Sequence, residues 1–155
     1  HIFNMKIGDK IPAVLGKDQN GKEIKASDFT GKKLVLYTYP KDNTSGCTAE
    51  ACSLRDNKDA LAEKGYVILG VSKDSAASHQ RFIEKQGLNF DLIADTETTL
   101  LQELGAWGEK KMCGKTTIGT LRTTYIVDEN GVITNIFTPK QIKTAEHAQQ
   151  ILEVL

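Results

Sequence analysis

Between residues 34 and 105, three short apolar runs alternate with three longer polar-faced runs, and each longer run stops at a glycine. The short runs, residues 34–39, 66–72 and 90–94, are rich in Leu, Val, Ile and Tyr and read as buried strands. The longer runs, 45–64, 75–86 and 97–104, read as helices ended by Gly65, Gly87 and Gly105. Strands alternating with helices demand an α/β sheet that is parallel in part. Asn20-Gly21 between two short runs predicts an N-terminal β-hairpin, because Asn-Gly favours positive φ. A second turn, residues 128–131, separates runs 122–127 and 132–137 and adds antiparallel strands, so the expected sheet is mixed. Residues 144–154 read as a closing helix capped by Thr144, with Ile151 and Leu155 as an apolar pair. Residues 107–121 show no clear period and are expected to form a long loop.

The chain has 155 residues, within the range of one domain, taken here as residues 5–155. Residues 1–4 precede Met5, which reads like a natural start, and are taken as an extraneous remnant. Twenty basic residues balance twenty acidic ones, which leaves no electrostatic case for nucleic acid or an anionic membrane. No apolar run approaches the ~20 residues of a membrane helix. Nor is there a basic start followed by an apolar stretch of a secretory signal, so the expected location is cytoplasmic.

Three cysteines, Cys47, Cys52 and Cys113, are too few and too odd for a secreted disulfide framework. In a reducing compartment they are inert, metal-bound or catalytic. Metal is disfavoured, because His79 and His147 lack the paired spacing of zinc ligands. The redox motif Cys-x-x-Cys is absent. Cys47 follows Thr44, Ser45 and Gly46, which are cap and turn residues, and so falls in the first turn of a helix. There unpaired N–H groups and the helix dipole favour thiolate, the reactive form. Five residues separate Cys47 from Cys52, which in an intact helix puts their Cα atoms roughly 8.6 Å apart, beyond the ~7 Å limit of a disulfide. A bond between them would require the first turns to unwind. The bland alternative is core packing: Cys47, Ala51, Leu54 and Leu61 make a plausible apolar stripe, interrupted at Lys58.

Pro40-x-x-x-Thr44-x-x-Cys47, with Glu50 three residues on and Cys52 two further, resembles the active-site signature of peroxiredoxins. The run from Tyr39 to Cys52 resembles the PrxQ, or bacterioferritin-comigratory-protein, branch. The segments beginning at Met5, at Trp107 and at Arg122 extend the likeness along essentially the whole chain. The resemblance implies a thioredoxin-like fold with a mixed central sheet flanked by helices. It implies a thioredoxin-dependent peroxidase that reduces hydrogen peroxide and organic hydroperoxides, without metal, haem or flavin. Cys47 would be the peroxidatic cysteine, oxidised to a sulfenic acid. Thr44 would offer a hydroxyl, Pro40 would shield the sulfur, and Arg122 would place a guanidinium beside it. Glu50 would hold Arg122 as a carboxylate–guanidinium pair, or complement the helix dipole, or both. Cys52 would resolve the sulfenic acid as an intramolecular disulfide, for reduction by thioredoxin or a similar dithiol. Resolution within one chain makes a monomer the simplest expectation.

Arginine appears at positions 55, 81 and 122 only; the first two lie in helix patterns and read as solvated. Two positions depart from the pattern. Ser45 stands where proline is common, which keeps a capping oxygen but gives up a fixed φ. Cys113 replaces a commoner aromatic residue and is expected to be a buried filler, the alternative being a second thiol near the site. A different class of function, a redox-sensing or chaperone-like binding protein switched by the same disulfide, is carried alongside. The threonine, proline and arginine constellation favours peroxide chemistry.

Overall fold

The computed structural model describes residues 5–155, apart from the side chain of Met112. The expectation of an extraneous remnant concerns residues 1–4, outside those described. The N-terminal hairpin is present as β1 (Val14–Lys17) and β2 (Glu23–Lys25). Asp18 Oδ1 accepts the N–H groups of Asn20 and Lys22 and so closes its turn.

The alternating centre folds as β3 (Lys33–Thr38), α1 (Ser45–Asp56), α2 (Lys58–Glu63), β4 (Tyr66–Ser72), α3 (Ala76–Gln86), β5 (Asp91–Ala94) and α4 (Thr99–Leu104). After β6 (Trp107–Met112) and β7 (Lys115–Thr120) come β8 (Thr123–Val127), β9 (Ile133–Phe137) and α5 (His147–Val154). The central sheet has the order β5-β4-β3-β8-β9. β3, β4 and β5 run parallel, whereas β8 is antiparallel to both β3 and β9. The sheet is mixed, as expected.

Strand β3 explains why its sequence is continuously apolar: both of its faces are covered. Leu34 and Leu36 pack with Leu15, Leu100, Leu101 and Ile133 on one face. Val35 and Tyr37 pack with Ala51, Leu54, Phe82 and Ile151 on the other, so α1, α3 and α5 lie there. Gly70 on β4 sits where a Cβ would come within 2.7 Å of Leu92 and 3.0 Å of Tyr37, so the close packing of Tyr37 excludes a side chain there.

Four expectations need correction. The helix over residues 45–64 breaks at Asn57, whose side chain donates to Ser53 O at 2.8 Å and whose backbone leaves helical geometry at φ −112°, ψ 15°. That amide bond competes with the backbone ladder and ends α1. Lys58, which interrupted the apolar stripe, begins α2 instead. Residues 107–121 are largely a hairpin, β6 paired with β7, and not a loop. Its two-residue turn is Cys113-Gly114, both at positive φ (51° and 78°), the geometry tight hairpins prefer. Cys113 is therefore exposed at a hairpin tip, not buried. Finally, residues 144–146 form a short 3-10 turn before α5, and the Thr144 hydroxyl makes no cap.

Candidate active site

The site forms where β3 hands the chain to α1 and where β8 begins beside them. Thr44 occupies the N-cap of α1 with extended backbone, and its carbonyl accepts the first helical bond, from Thr48 N at 2.8 Å. Cys47 is then the third helical residue, within the turn whose N–H groups have no helical partner. Its side chain is buried on the sheet side of α1.

Arg122 precedes β8, and the antiparallel pairing of β8 with β3 brings it to α1. Its Nη2 lies 3.3 Å from Cys47 Sγ, and its Nη1 donates to Glu50 Oε1 at 2.6 Å. One planar guanidinium therefore bridges the sulfur and the carboxylate, a fork that a lysine does not possess. Gly46 makes room: a Cβ there would stand 3.3 Å from Arg122 Nη2.

Glu50 is fully buried. Burial pushes its carboxyl up to about 7, even though the charge and hydrogen bond of Arg122 pull the other way. Its second oxygen, Oε2, has no hydrogen-bond partner among the described residues, and His147 Nε2 stands 3.9 Å from it. Gln150 fixes the state of that imidazole. Its amide nitrogen donates to Gln141 O, so its Oε1 is the acceptor that faces Lys143 N–H and His147 Nδ1. Nδ1 therefore carries the hydrogen, and Nε2 accepts from the Thr124 hydroxyl at 2.7 Å. Burial, with the nearby Arg122 charge, holds His147 below its ordinary range and keeps it neutral, while the Gln150 bond opposes this.

Above Arg122 opens a cleft of about 760 Å³, with Pro40 on one wall, Lys110 and Lys111 of β6 on another, and Lys140 at its edge. Of the six residues singled out from sequence, Cys47, Arg122 and Glu50 are in direct contact, and Pro40 shares the cleft with Arg122. Thr44 adjoins them, but its hydroxyl donates to Lys41 O at 2.9 Å. Cys52 sits apart, half-buried on α1, with its thiol directed at Gln86 Oε1 of α3 at 3.8 Å. Both cysteines are free and lie within one continuous helix. Sequence reasoning missed Gly46 as a spacer, and it missed Thr124, His147 and the β6 wall. The glycine beside Cys47 was a usable signal; the others depend on tertiary approach alone.

Sequence comparison matches the chain to the AhpC/TSA family over residues 7–136. Peroxiredoxin Bcp of Escherichia coli is 39% identical over 151 residues, covering 97% of this chain and 96% of that protein. Peroxiredoxin Bcp of Bacillus subtilis is 40% identical over 153 residues, covering 99% and 96%. Among solved structures, a cysteine-to-serine mutant of Xylella fastidiosa PrxQ superposes with a TM-score of 0.87 at 32% identity, covering 97% of this chain and 95% of that one. The bacterioferritin comigratory protein of Xanthomonas campestris gives 0.85 at 31% identity, with 96% of each chain covered. With a buried cysteine at a helix N-terminus under a guanidinium, and likeness over nearly its full length, the chain belongs to the AhpC/TSA family and is a peroxiredoxin of the Bcp and PrxQ kind.

Proposed function

We propose that this peroxiredoxin reduces hydrogen peroxide and organic hydroperoxides through Cys47, with Cys52 as its resolving cysteine and thioredoxin or a similar dithiol as reductant. The observation that carries the reading is the Arg122 fork, 3.3 Å from Cys47 Sγ and 2.6 Å from Glu50. The Cys47 thiolate attacks the peroxide oxygen that bears hydrogen, and an S–O bond forms as the O–O bond breaks. Sulfur becomes a sulfenic acid, and the second oxygen leaves as alkoxide or hydroxide and takes a proton from solvent to give alcohol or water. Negative charge moves from sulfur to the leaving oxygen, and Arg122 faces both positions. Pro40 bounds the cleft through which the peroxide enters. Thr44 supplies the helix cap and, with its proton held by Lys41 O, presents lone pairs toward a peroxide O–H.

Cys52 then attacks the sulfenic sulfur; an S–S bond forms, and the sulfenic oxygen leaves as water. Within intact α1 the two sulfurs are on different faces, so this step requires local unwinding. Thiol–disulfide exchange with the dithiol restores both thiols. The cycle needs no second copy, and the working form is a monomer in the cytoplasm.

Turnover with thioredoxin, thioredoxin reductase and NADPH tests the whole cycle. Cys47→Ser should abolish peroxide consumption; retained turnover overturns the assignment. Cys52→Ser should spare the first oxidation and impair recycling. Arg122→Lys, which loses the fork, should slow the first oxidation by about 10²-fold.

A further inference from the structure

The six residues between β3 and α1 carry Pro40 and Thr44, yet three of them, Lys41, Asn43 and Thr44, are exposed. Asn43, directly before the helix cap, has φ 62°, a left-handed conformation that persists in a non-glycine residue when its surroundings hold it. The one loop residue buried with Tyr39 is an aspartate, Asp42.

Asp42 is held by Tyr39 of its own loop, by Ser78 and His79 of α3, and by Asp74 between β4 and α3. Its Oδ1 accepts from the Tyr39 hydroxyl at 2.6 Å, and its Oδ2 accepts from the Ser78 hydroxyl and from His79 Nδ1, both at 2.8 Å. Its backbone N–H donates to Asp74 Oδ2 at 2.9 Å, and the Ser72 hydroxyl donates to that same oxygen at 2.7 Å. His79 is fully buried on α3, and its Nε2 lies 2.8 Å from the carbonyl oxygen of Ile93 on β5. A carbonyl only accepts, so Nε2 carries hydrogen. Nδ1, on the other side of the ring, meets the Asp42 carboxyl, which the Tyr39 and Ser78 hydroxyls also bind. The ring bridges β5 to the loop through its two nitrogens.

A buried charged cluster of this kind stabilises a fold no better than apolar residues of the same shape. What it supplies is geometry: a charged, fully hydrogen-bonded group has one orientation, whereas an apolar side chain slides. We propose that Asp42 and His79 are positioning residues for the peroxide reaction, holding Pro40 and the strained Asn43-Thr44 step in register with Cys47 from the α3 and β5 side. The proposal rests on the functional reading above.

The test compares two reactions of Cys47, each followed at the Cys47 peptide by mass spectrometry: oxidation by hydrogen peroxide and alkylation by iodoacetamide. Alkylation needs the sulfur alone, whereas peroxide reduction needs the loop around it. Asp42→Asn and His79→Gln should slow oxidation by about tenfold, as displaced catalytic groups do, and leave alkylation within about twofold. Ser78→Ala removes one donor, is expected to keep the fold, and should show the same selective loss at about two- to threefold. Oxidation unchanged in these variants, or both reactions falling together, overturns the clamp. If the larger substitutions prevent folding, Ser78→Ala decides alone. A parent protein whose Cys47 does not react with peroxide overturns the functional reading and the clamp with it; a reactive parent whose variants keep its ratio overturns the clamp only.

Discussion

Glu50 is the residue at which packing and chemistry oppose one another. It holds Arg122 over Cys47, yet full burial pushes its carboxyl from 4.5 up to about 7. A carboxyl raised on folding contributes stability below its unfolded value that is lost as pH rises through the folded one. The parent protein should therefore lose up to about 3 kcal/mol between pH 4.5 and 7 from this group. Glu50→Gln removes that slope, so its stability relative to the parent should rise from pH 5 to pH 8. Urea unfolding at the two pH values measures this, and a constant difference contradicts it. At this scale Cys47 was legible from its place in the first turn of a helix, whereas Glu50 entered only with the family pattern. Arg122 too was legible only through that pattern, because it meets α1 across 72 positions. His147 carried no signal, because its role comes from β8 and α5 meeting beneath Glu50.

At the scale of elements, the proposed resolution step requires α1 to open. Asn57 ends it after twelve residues, so α1 can open without drawing α2 with it. Conversion of Cys47 and Cys52 to a disulfide should abolish amide protection over residues 45–52, while α2 stays protected; hydrogen exchange on reduced and oxidised protein reads this directly. Protection retained throughout α1 contradicts the unwinding. The C-terminal half of α1 is tied down by the Ser53 hydroxyl, which accepts from Ala148 N at 3.0 Å. Ser53→Ala leaves that buried N–H unpaired and should destabilise the fold by about 1–3 kcal/mol, measurable by thermal unfolding. Neither the Asn57 break nor the β6–β7 hairpin was legible in advance. Asn57 ends its helix through a side-chain bond that composition does not signal. The hairpin strands run through lysine and threonine with one largely exposed surface, so the alternation that marks a half-buried strand is missing.

For the whole molecule, the alternation of apolar runs with glycine-ended helices was enough to read a mixed α/β sheet, because a sheet covered on both faces leaves unbroken apolar strands. Overall charge was less informative. The chain is neutral, yet the cleft that reaches Arg122 is lined by Arg122, Lys110, Lys111 and Lys140 against the single carboxylate of Glu109. Oxidation by a carboxylate-bearing hydroperoxide should therefore slow as salt rises from 0.02 to 0.5 M, by about threefold or more, while the rate with neutral hydrogen peroxide stays level. Equal salt dependence contradicts the steering. Time-resolved mass spectrometry after mixing with one equivalent of hydrogen peroxide tests the central claim most directly. Cys47 should gain one oxygen first, and that oxygen should then be lost as water as a Cys47–Cys52 disulfide forms within a single chain. First oxidation at Cys52 or Cys113, or an unreacted Cys47, would contradict the account.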